Sequence, residues 1–501
     1  MSFGPPPSAY TQSALAADQN RRRRRIRMLG AVAVVVAAAV GVGGWILSST
    51  GDEGASADPK PSATAQSPDD IRELTEKTPA SPEGRLLVEY REGNLAKTVK
   101  GDPRYAPGTW ATDKVLAKGM ADRIEGLTTA ATGPEKAWTL RLDGHLCATS
   151  KHITADGRTA VVVQPKKSGT VAQRGVCDEV VFFDVNTGKK LWQAKMPSAA
   201  SAFVTNTNLT MTKGVVAVAW GGGSVAYDMK SGKQLWNSTT VSACEDNGFA
   251  GGRALLVLEE CGAQSPNPTY RVEKLDPRTG KPLWTYKVAN GVEDVYLPSS
   301  DPPVLAVAAG DSSVTDLITL DGAGKRLATI SLTGYDPKCG ERDFGAGFFG
   351  TVEYCDGVVV GRDQVYVVSK ETTELRQAAN WIVAFDVTTG KAGRKLDARP
   401  SQPLTPLQAD GDALLVFRRS YSEVEPSSVL TWDPRTGKET PFLLFGFPAD
   451  DEGDFADIEH SDILVAQGRV YFAKRELTAD DKHPTYPVDA VLGIGSAAAR
   501  H

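Results

Sequence analysis

Short apolar runs separated by polar turns fill most of the chain, and one long apolar run stands near its start. From about residue 85 onward, Val-rich runs of strand length alternate with turns that contain glycine and aspartate, a pattern typical of β-strands. Long amphipathic helical stretches are absent after residue 80. The pattern therefore predicts an all-β body over residues 85–501.

The long apolar run, residues 28–47, has no charged side chain. At about 1.5 Å per residue it spans about 30 Å, the hydrocarbon thickness of a bilayer, so we expect a transmembrane helix over residues 28–48. Arginines at 21–25 and 27 precede it, and such cationic flanks stay on the cytoplasmic side. A cleavable signal peptide is the alternative, although the run is long for one and residues 48–51 form a poor cleavage site. Either way the body lies outside the cytoplasm.

Two further segments differ in composition from the body. Residues 1–27, which carry the arginine run, are expected to be a disordered cytoplasmic tail, because the part before the arginines has a proline run and no apolar period. Residues 49–84 are rich in Ser, Ala, Pro, Asp and Glu and are expected to form a flexible extracytoplasmic stalk. Beyond residue 50 acidic residues outnumber basic ones, so nucleic acid is not an expected partner.

One unit recurs through the body: a strand, an aspartate, two variable positions, Thr/Ser-Gly-Lys, and a strand containing Leu-Trp. It reads VVFFDVNTGKKLW at 180–192, SVAYDMKSGKQLW at 224–236 and RVEKLDPRTGKPLW at 271–284, with fainter copies before and after. The aspartates recur at about the 40 to 50 residues of a propeller blade, except where an insertion precedes the fifth. They are Asp184, Asp228, Asp276, Asp321, Asp386 and Asp433.

This unit resembles the pyrroloquinoline-quinone-like (PQQ-like) propeller repeat of membrane-anchored bacterial proteins. The resemblance covers about residues 85–495 and implies one β-propeller of four-stranded blades. It occurs in quinone-dependent dehydrogenases and in non-catalytic assembly factors and sensors. Seven turn glycines mark seven units, and a last set of three strands after residue 460 would need a fourth. Residues 86–90 could supply it from the other end of the chain, so eight blades are favoured, with seven as the alternative.

The repeat residues have structural explanations. Aspartate accepts hydrogen bonds from backbone N–H groups of the turn, glycine supplies its positive φ, and tryptophan on the outermost strand can wedge against the next blade. We expect these residues to hold blades together: Asp184, Gly188, Trp192, Asp228, Gly232, Trp236, Asp276, Gly280 and Trp284.

Six cysteines lie beyond the apolar run, in a compartment that permits disulfides. Fifteen connectivities are possible, and pairing of sequence neighbours is the natural one: Cys147 with Cys177, Cys244 with Cys261, Cys339 with Cys355. On the repeat, all three pairs fall at the same end of the strands. The longer irregular connections fall there too, whereas the tight Thr-Gly turns lie at the other end. A metal site is the competing explanation, but no C-x-x-C pair occurs.

No motif assigns chemistry. The acidic run at 450–454, continued by Asp457 and Glu459, lacks the spacing of a calcium loop, and the five histidines show no paired spacing. No nucleophile elbow, P-loop or dinucleotide fingerprint occurs in a suitable context. We therefore assign no catalytic residue and no metal ligand, and the cofactor-binding residues remain unknown.

Two functions are left open. The favoured one is a non-catalytic binding or scaffold propeller on the outer side of a bacterial cytoplasmic membrane, recognising a protein, a peptide or an envelope polymer through the loop-rich end; a sensor is a narrower version. The alternative, implied by the resemblance, is a PQQ-dependent dehydrogenase. Such enzymes often use a disulfide between adjacent cysteines and a calcium-bound carboxylate, and no two cysteines are adjacent here.

Overall fold

The computed structural model describes ten stretches of the chain, apart from residues 74, 264, 266, 480–482 and 484. They are residues 67–93, 104–129, 135–165, 175–239, 244–310, 313–340, 352–372, 378–421, 425–447 and 455–496. No helix within these stretches is long and apolar enough to cross a bilayer. The expected tail, residues 1–27, and the expected transmembrane helix, residues 28–48, lie outside the described residues.

The described chain forms eight four-stranded antiparallel sheets, which we number as blades and describe from the innermost strand outward. Blade 1 contains β3 (Thr109–Ala111), β4 (Val115–Met120), β5 (Arg123–Thr128) and β6 (Lys136–Arg141). Blade 2 contains β7 (Gly144–Thr149), β8 (Arg158–Pro165), β9 (Glu179–Asp184) and β10 (Lys190–Lys195). Blade 3 contains β11 (Asn208–Thr212), β12 (Val215–Ala219), β13 (Gly223–Asp228) and β14 (Gln234–Thr239). Blade 4 contains β15 (Cys244–Ala250), β16 (Leu255–Cys261), β17 (Thr269–Leu275) and β18 (Pro282–Lys287).

The remaining blades follow in chain order. Blade 5 contains β19 (Val292–Ser300), β20 (Pro303–Ala309), β21 (Asp316–Leu320) and β22 (Arg326–Ser331). Blade 6 contains β23 (Val358–Val360), β24 (Gln364–Val368), β25 (Trp381–Asp386) and β26 (Ala392–Asp397). Blade 7 contains β27 (Leu404–Asp410), β28 (Ala413–Arg418), β29 (Ser427–Trp432) and β30 (Glu439–Phe445). Blade 8 contains β31 (Ser461–Ala466), β32 (Arg469–Lys474), β34 (Val488–Ser496) and β1 (Gly84–Glu92). A separate pair joins β2 (Arg104–Tyr105) to β33 (Glu476–Leu477).

Blade 8 closes the ring with strands from both ends of the body. β1 pairs antiparallel with β34, with Leu86 opposite Ile494 and Tyr90 opposite Val491. The first strand of the body thus covers the edge that the last strand would otherwise expose. This confirms the expected eight-bladed, all-β propeller and the source of its missing strand.

The core lies between the blades. Eight clusters of buried apolar residues each join two neighbouring blades, one cluster at every interface of the ring. β12 shows why its sequence, VVAVA, is apolar throughout: Val216 and Val218 face blade 2, whereas Val215, Ala217 and Ala219 face blade 4. An inner strand is buried on both faces, so it loses the polar alternation of a half-exposed strand.

Residues 67–83, which the sequence places in the stalk, lie on the propeller instead. The Asp69 carbonyl accepts the N–H of Gly214 in blade 3, and Glu76 donates its N–H to Asp410 in blade 7. Both partners lie at turns between first and second strands, and blades 3 and 7 are opposite each other in the ring. The segment, which we call the N-terminal strap, therefore crosses one mouth of the central channel.

Candidate functional site

The predicted repeat residues lie in the turns between third and fourth strands and at the blade interfaces. The carboxylate of Asp184 accepts the N–H of Asn186 at 2.7 Å, and the equivalent aspartates of the next two blades make the same kind of bond. Gly188, Gly232 and Gly280 have φ between 67° and 69°, the left-handed region in which glycine carries no Cβ penalty. These bonds fix the shape of each turn.

Each repeat tryptophan packs on the turn of the following blade. Trp192 donates its indole N–H to the carbonyl of Met229 at 2.8 Å, and a Cβ on Gly232 would lie 2.8 Å from the Trp192 ring. Trp236 and Trp284 make the equivalent contacts with the next two blades. The tryptophans join blades, and none of them lines the channel cavity described below.

The two ends of the propeller differ in their connections. Because adjacent strands are antiparallel, the links between second and third strands share one end with the links between blades. We call this end the loop rim and the opposite end, which carries the tight repeat turns and the strap, the turn rim. Every connection between blade strands that is longer than eight residues begins and ends at the loop rim: 93–108, 166–178, 196–207, 332–357, 369–380, 446–460 and 475–487.

The three expected disulfides are present: Cys147–Cys177, Cys244–Cys261 and Cys339–Cys355. Cys244 and Cys261 lie opposite each other at the ends of β15 and β16, at the loop rim. Cys339 and Cys355 lie in the connection that precedes β23, which begins and ends at the same rim. Cys147 lies at a bulge inside β7, and Cys177 lies in the connection that precedes β9.

Part of the connection at 332–357, which precedes β23, lies inside the central channel. The carbonyl of Val352 accepts the N–H of Leu297 in blade 5 at 2.7 Å, and Glu353 Oε1 accepts the N–H of Gly251 in blade 4 at 2.7 Å. The carbonyl of Glu353 accepts a bond from Lys151 Nζ in blade 2 at 2.9 Å. Contacts with three blades place residues 352–356, which we call the channel segment, within the ring rather than on it.

Glu353 is buried at the centre of this contact. His152 Nε2 lies 3.0 Å from Glu353 Oε1, and Lys151 is close by. Burial alone would raise the pKa of the Glu353 carboxyl. Interactions with His152 and Lys151, together with the bond from the Gly251 N–H, outweigh burial and lower that pKa to about 2. The carboxylate is therefore charged at neutral pH, and His152 and the Gly251 N–H both contact its Oε1.

A second group of buried charges lies between the channel segment and blades 1 and 8. Arg475 Nε donates to Asp462 Oδ1 at 2.7 Å, and its Nη2 lies 3.5 Å from Asp356 Oδ2. Lys118, fully buried in β4, donates from Nζ to Thr109 at 3.1 Å and lies 3.8 Å from Asp462 Oδ2. Burial lowers the pKa of Lys118 to about 8, although the Asp462 carboxylate opposes that shift.

A cavity of about 420 Å³ lies beside the channel segment. Its walls come from blades 1, 2, 5, 6, 7 and 8 and from the segment itself, and its charged lining residues are Lys151, His152, Glu353, Asp356, Asp462 and Arg475. Asp356 and Asp462 are paired with Arg475, and Glu353 contacts His152. The carboxylates of this polar cavity therefore already have partners within the chain.

The cavity does not match the quinone site that the resemblance implies. Its one cysteine, Cys355, is bonded to a residue 16 positions away and not to a neighbour. Its carboxylates are held by Arg475 and His152, and the described residues contain no group of three or more His, Cys, Asp or Glu that could hold a metal ion. We assign neither quinone nor calcium to these residues.

The other candidates from the sequence are the acidic run, the two carboxylates that follow it, and His501. The acidic run 450–454 is outside the described residues, as is His501. Asp457 lies 3.2 Å from His460, and Glu459 lies 2.5 Å from Lys338 Nζ. Contacts with His460 and Lys338, and not a calcium loop, account for these two carboxylates.

The sequence did not single out the charged residues of the channel. Glu353 lies within a stretch predicted only as an irregular connection, and Arg475 directly follows an apolar strand. Lys118 did leave a signal, because a lysine within the buried strand VLAKGM has to find a partner.

The geometry defines a class: an eight-bladed β-propeller whose blades carry the PQQ-like repeat. A protein-family model described as outer membrane protein assembly factor BamB matches residues 107–250 and 177–440. The chain belongs to this family of PQQ-like repeat propellers. No curated protein matches the sequence.

Three solved structures are similar at low identity. A europium-containing methanol dehydrogenase is 12% identical, with a TM-score of 0.45, and the alignment covers 82% of this chain and 93% of that one. The designed protein Ika8 is 12% identical, with a TM-score of 0.36 and coverages of 72% and 99%. A quinohemoprotein alcohol dehydrogenase from Comamonas testosteroni is 11% identical, with a TM-score of 0.43 and coverages of 84% and 78%. At such TM-scores these similarities do not bear on substrate or cofactor.

Proposed function

We propose that the protein is a non-catalytic binding or scaffold propeller that recognises a protein, peptide or envelope polymer through its loop rim. We further propose that residues 28–48 anchor it in a bacterial cytoplasmic membrane with the N-terminus inside and the propeller outside. The observation that carries the first proposal is the asymmetry of the two rims. Every connection longer than eight residues begins and ends at one of them, and each disulfide has at least one cysteine in or beside a loop-rim connection.

The channel and the turn rim support the same interpretation. The channel segment fills part of the channel, and its buried charges are paired with residues of this chain. The N-terminal strap covers part of the turn rim. Since binding residues concentrate on long loops held by a rigid scaffold, the loop rim is the surface best suited to a ligand. The description of the matched family as an assembly factor is consistent with a binding role.

The quinone-dependent dehydrogenase remains the alternative, and no contact in the channel favours it. A dehydrogenase of that kind would need a quinone site where the cavity instead has paired charges and a disulfide between distant cysteines. Purified protein given pyrroloquinoline quinone and Ca²⁺ should therefore reduce no dye with alcohols or sugars, and robust turnover would contradict the proposal.

Photo-cross-linking in the producing cells tests the binding role directly. A photoreactive phenylalanine at the exposed loop-rim residues Phe203, Tyr421 or Tyr486 should give discrete higher-mass adducts. The same group at Arg278 or Arg435, exposed on the turn rim, is the matched control and should give none. Adducts from the turn rim alone, or none from either rim, would contradict the proposal.

A further inference from the structure

A lateral groove of about 400 Å³ opens at the loop rim between blades 6 and 7. Its floor and walls include Arg399, Gln402, Arg418, Leu430, Pro441 and Leu444. Gln402 belongs to the link between the two blades, and Arg418 ends β28 at the loop rim. The groove is separate from the channel cavity, with which it shares no lining residue.

The interface beside the groove departs from the repeat. Arg394 stands where earlier blades carry the wedge tryptophan, and its Nε donates to the carbonyl of Arg435, 3.2 Å away in the next blade. Four residues after Arg394, Ala398 donates its N–H to the carbonyl of Asn380, the residue before the third strand of its blade. Met196 and Leu332 make the equivalent bonds in blades 2 and 5. Ala398 has a smaller side chain than Met196 or Leu332, and it packs in the same apolar cluster as Leu430 of the groove.

Two buried polar side chains that line the groove each have one atom without a hydrogen-bond partner among the described residues. Arg418 is 4% exposed; its Nη2 donates to Glu439 at 2.6 Å, but its Nε has no hydrogen-bond partner among the described residues. Gln402 is 2% exposed, and its Oε1 has no partner there either. Buried polar groups are nearly always hydrogen-bonded, so an unpaired donor and an unpaired acceptor on two residues that line one groove point to a ligand.

The side chains of the groove walls restrict the chemical class of ligand that fits. The guanidinium of Arg418 offers an N–H to an anion, for which a carboxylate is a suitable partner. The Gln402 oxygen needs a donor, and Leu430, Pro441 and Leu444 offer apolar surface. The C-terminal residue of a peptide supplies all three features: a carboxylate, its own backbone N–H and a side chain.

We propose that this groove binds the carboxy-terminal residue of a peptide whose last side chain is apolar. The inference rests on the loop rim being the binding face, and it names the chemistry recognised there. Glu425 and Glu439 line the groove together with Arg399 and Arg418, so its charged lining is balanced. A terminal residue with an acidic side chain would bring a second negative charge beside these two carboxylates and is therefore disfavoured. The free amino acid leucine has the same carboxylate, but it carries an ammonium group in place of the amide N–H.

Calorimetric titration of the full chain in detergent tests the ligand class. N-acetyl-leucine, which mimics a peptide terminus, should bind at least about tenfold more tightly than N-acetyl-leucinamide, which lacks the carboxylate. N-acetyl-glutamate and free leucine should also bind more weakly than N-acetyl-leucine. Equal binding of the acid and its amide, tighter binding of free leucine, or no binding of N-acetyl-leucine would overturn the proposal.

Two variants assign the binding to the groove. Arg418→Met should abolish the preference for the acid over the amide, and Gln402→Leu should weaken N-acetyl-leucine by about tenfold. Arg435→Met, an exposed arginine on the turn rim of the same blade, is the control and should bind as the parent does. Near-ultraviolet circular dichroism checks that each variant is folded. An unchanged acid preference in folded Arg418→Met would place the binding elsewhere and refute the assignment.

The two proposals fail in different ways. If the rim cross-links persist while N-acetyl-leucine shows no carboxylate-dependent binding, the groove assignment is wrong and the rim proposal stands. If acid-specific binding is present but cross-links come only from the turn rim, the rim proposal is wrong for the cellular partner.

Discussion

At the scale of single residues, the repeat turns combine two demands on glycine. Gly232 has a φ of 67° and faces the Trp192 ring, so a side chain there meets both a backbone penalty and a steric one. Gly411 has a φ of 62°, and no atom lies within 4 Å of the point that a Cβ would occupy, so it meets the backbone penalty alone. Comparing substitutions at these two glycines separates the backbone penalty from the steric one.

We expect Gly232→Ala to lower the free energy of unfolding by about 2–3 kcal/mol and Gly411→Ala by about 1 kcal/mol. The additional loss comes from displacing the Trp192 ring, whose packing and hydrogen bond join blades 2 and 3. Chemical denaturation of both variants measures the difference. Equal losses would mean that the tryptophan adapts without cost.

Lys118 gives a pH-dependent prediction. Its pKa is lowered from 10.5 to about 8 by burial, so between these pH values the unfolded chain holds a proton that the folded chain has lost. This group therefore destabilises the fold at neutral pH, and the penalty is relieved as the pH rises from about 8 to 10.5.

Lys118→Met removes this titration. The stability of the parent relative to Lys118→Met should rise by roughly 3 kcal/mol between pH 7 and pH 10.5, the equivalent of a shift of about two units or more. Urea unfolding of both proteins across this range measures the difference. A difference that does not change with pH would show that Lys118 keeps its usual pKa in the folded protein.

At the scale of elements, the channel segment depends on one disulfide. Cys339–Cys355 and Cys244–Cys261 close loops of nearly equal length, with separations of 16 and 17 residues, so removing either should cost about 3 kcal/mol in a chain-entropy account. Only the first is attached to residues 352–356. The second therefore serves as a matched control.

We expect the double variant Cys339→Ala, Cys355→Ala to exchange backbone hydrogens faster at residues 352–356, while Cys244→Ala, Cys261→Ala leaves exchange there unchanged. The Glu353 carboxylate and the Val352 carbonyl would then lose the covalent support of their contacts. Hydrogen–deuterium exchange with mass spectrometry reads this out. Similar protection at 352–356 in both variants would show that the hydrogen bonds alone hold the segment.

The sequence could predict those elements whose contacts repeat along the chain. The Asp, Gly and Trp of each repeat act within one turn or on the next blade, so their spacing along the chain reveals both strand order and blade period. The contact between His152 and Glu353 joins residues 201 positions apart, and no periodicity encodes it. The strap was missed for a related reason: residues 67–83 have the composition of a linker, and only partners far along the chain hold them.

At the scale of the whole molecule, β1 closes the ring by completing blade 8. Deleting residues 1–92 would leave β34 without its outer partner, whereas deleting residues 1–83 keeps β1 and removes only the strap from the described part of the chain. An unpaired strand edge invites pairing between molecules.

We expect the longer deletion to form oligomers and to lose its single sharp thermal transition, and the shorter one to remain monomeric with a lower midpoint. Size-exclusion chromatography with light scattering and calorimetry make the comparison. If both truncated chains are monomeric and melt alike, β1 is not required to close the ring.

Ring closure also constrains biosynthesis. Arg91 of β1 pairs with Asp489 of β34, a partner 398 residues later in the chain. At a synthesis rate of about 5–20 residues per second, β1 must wait tens of seconds after it leaves the ribosome before its neighbour exists. During that interval the nascent propeller has a free strand at each end, which makes it a natural client for chaperones that shield unpaired strands until the last one arrives.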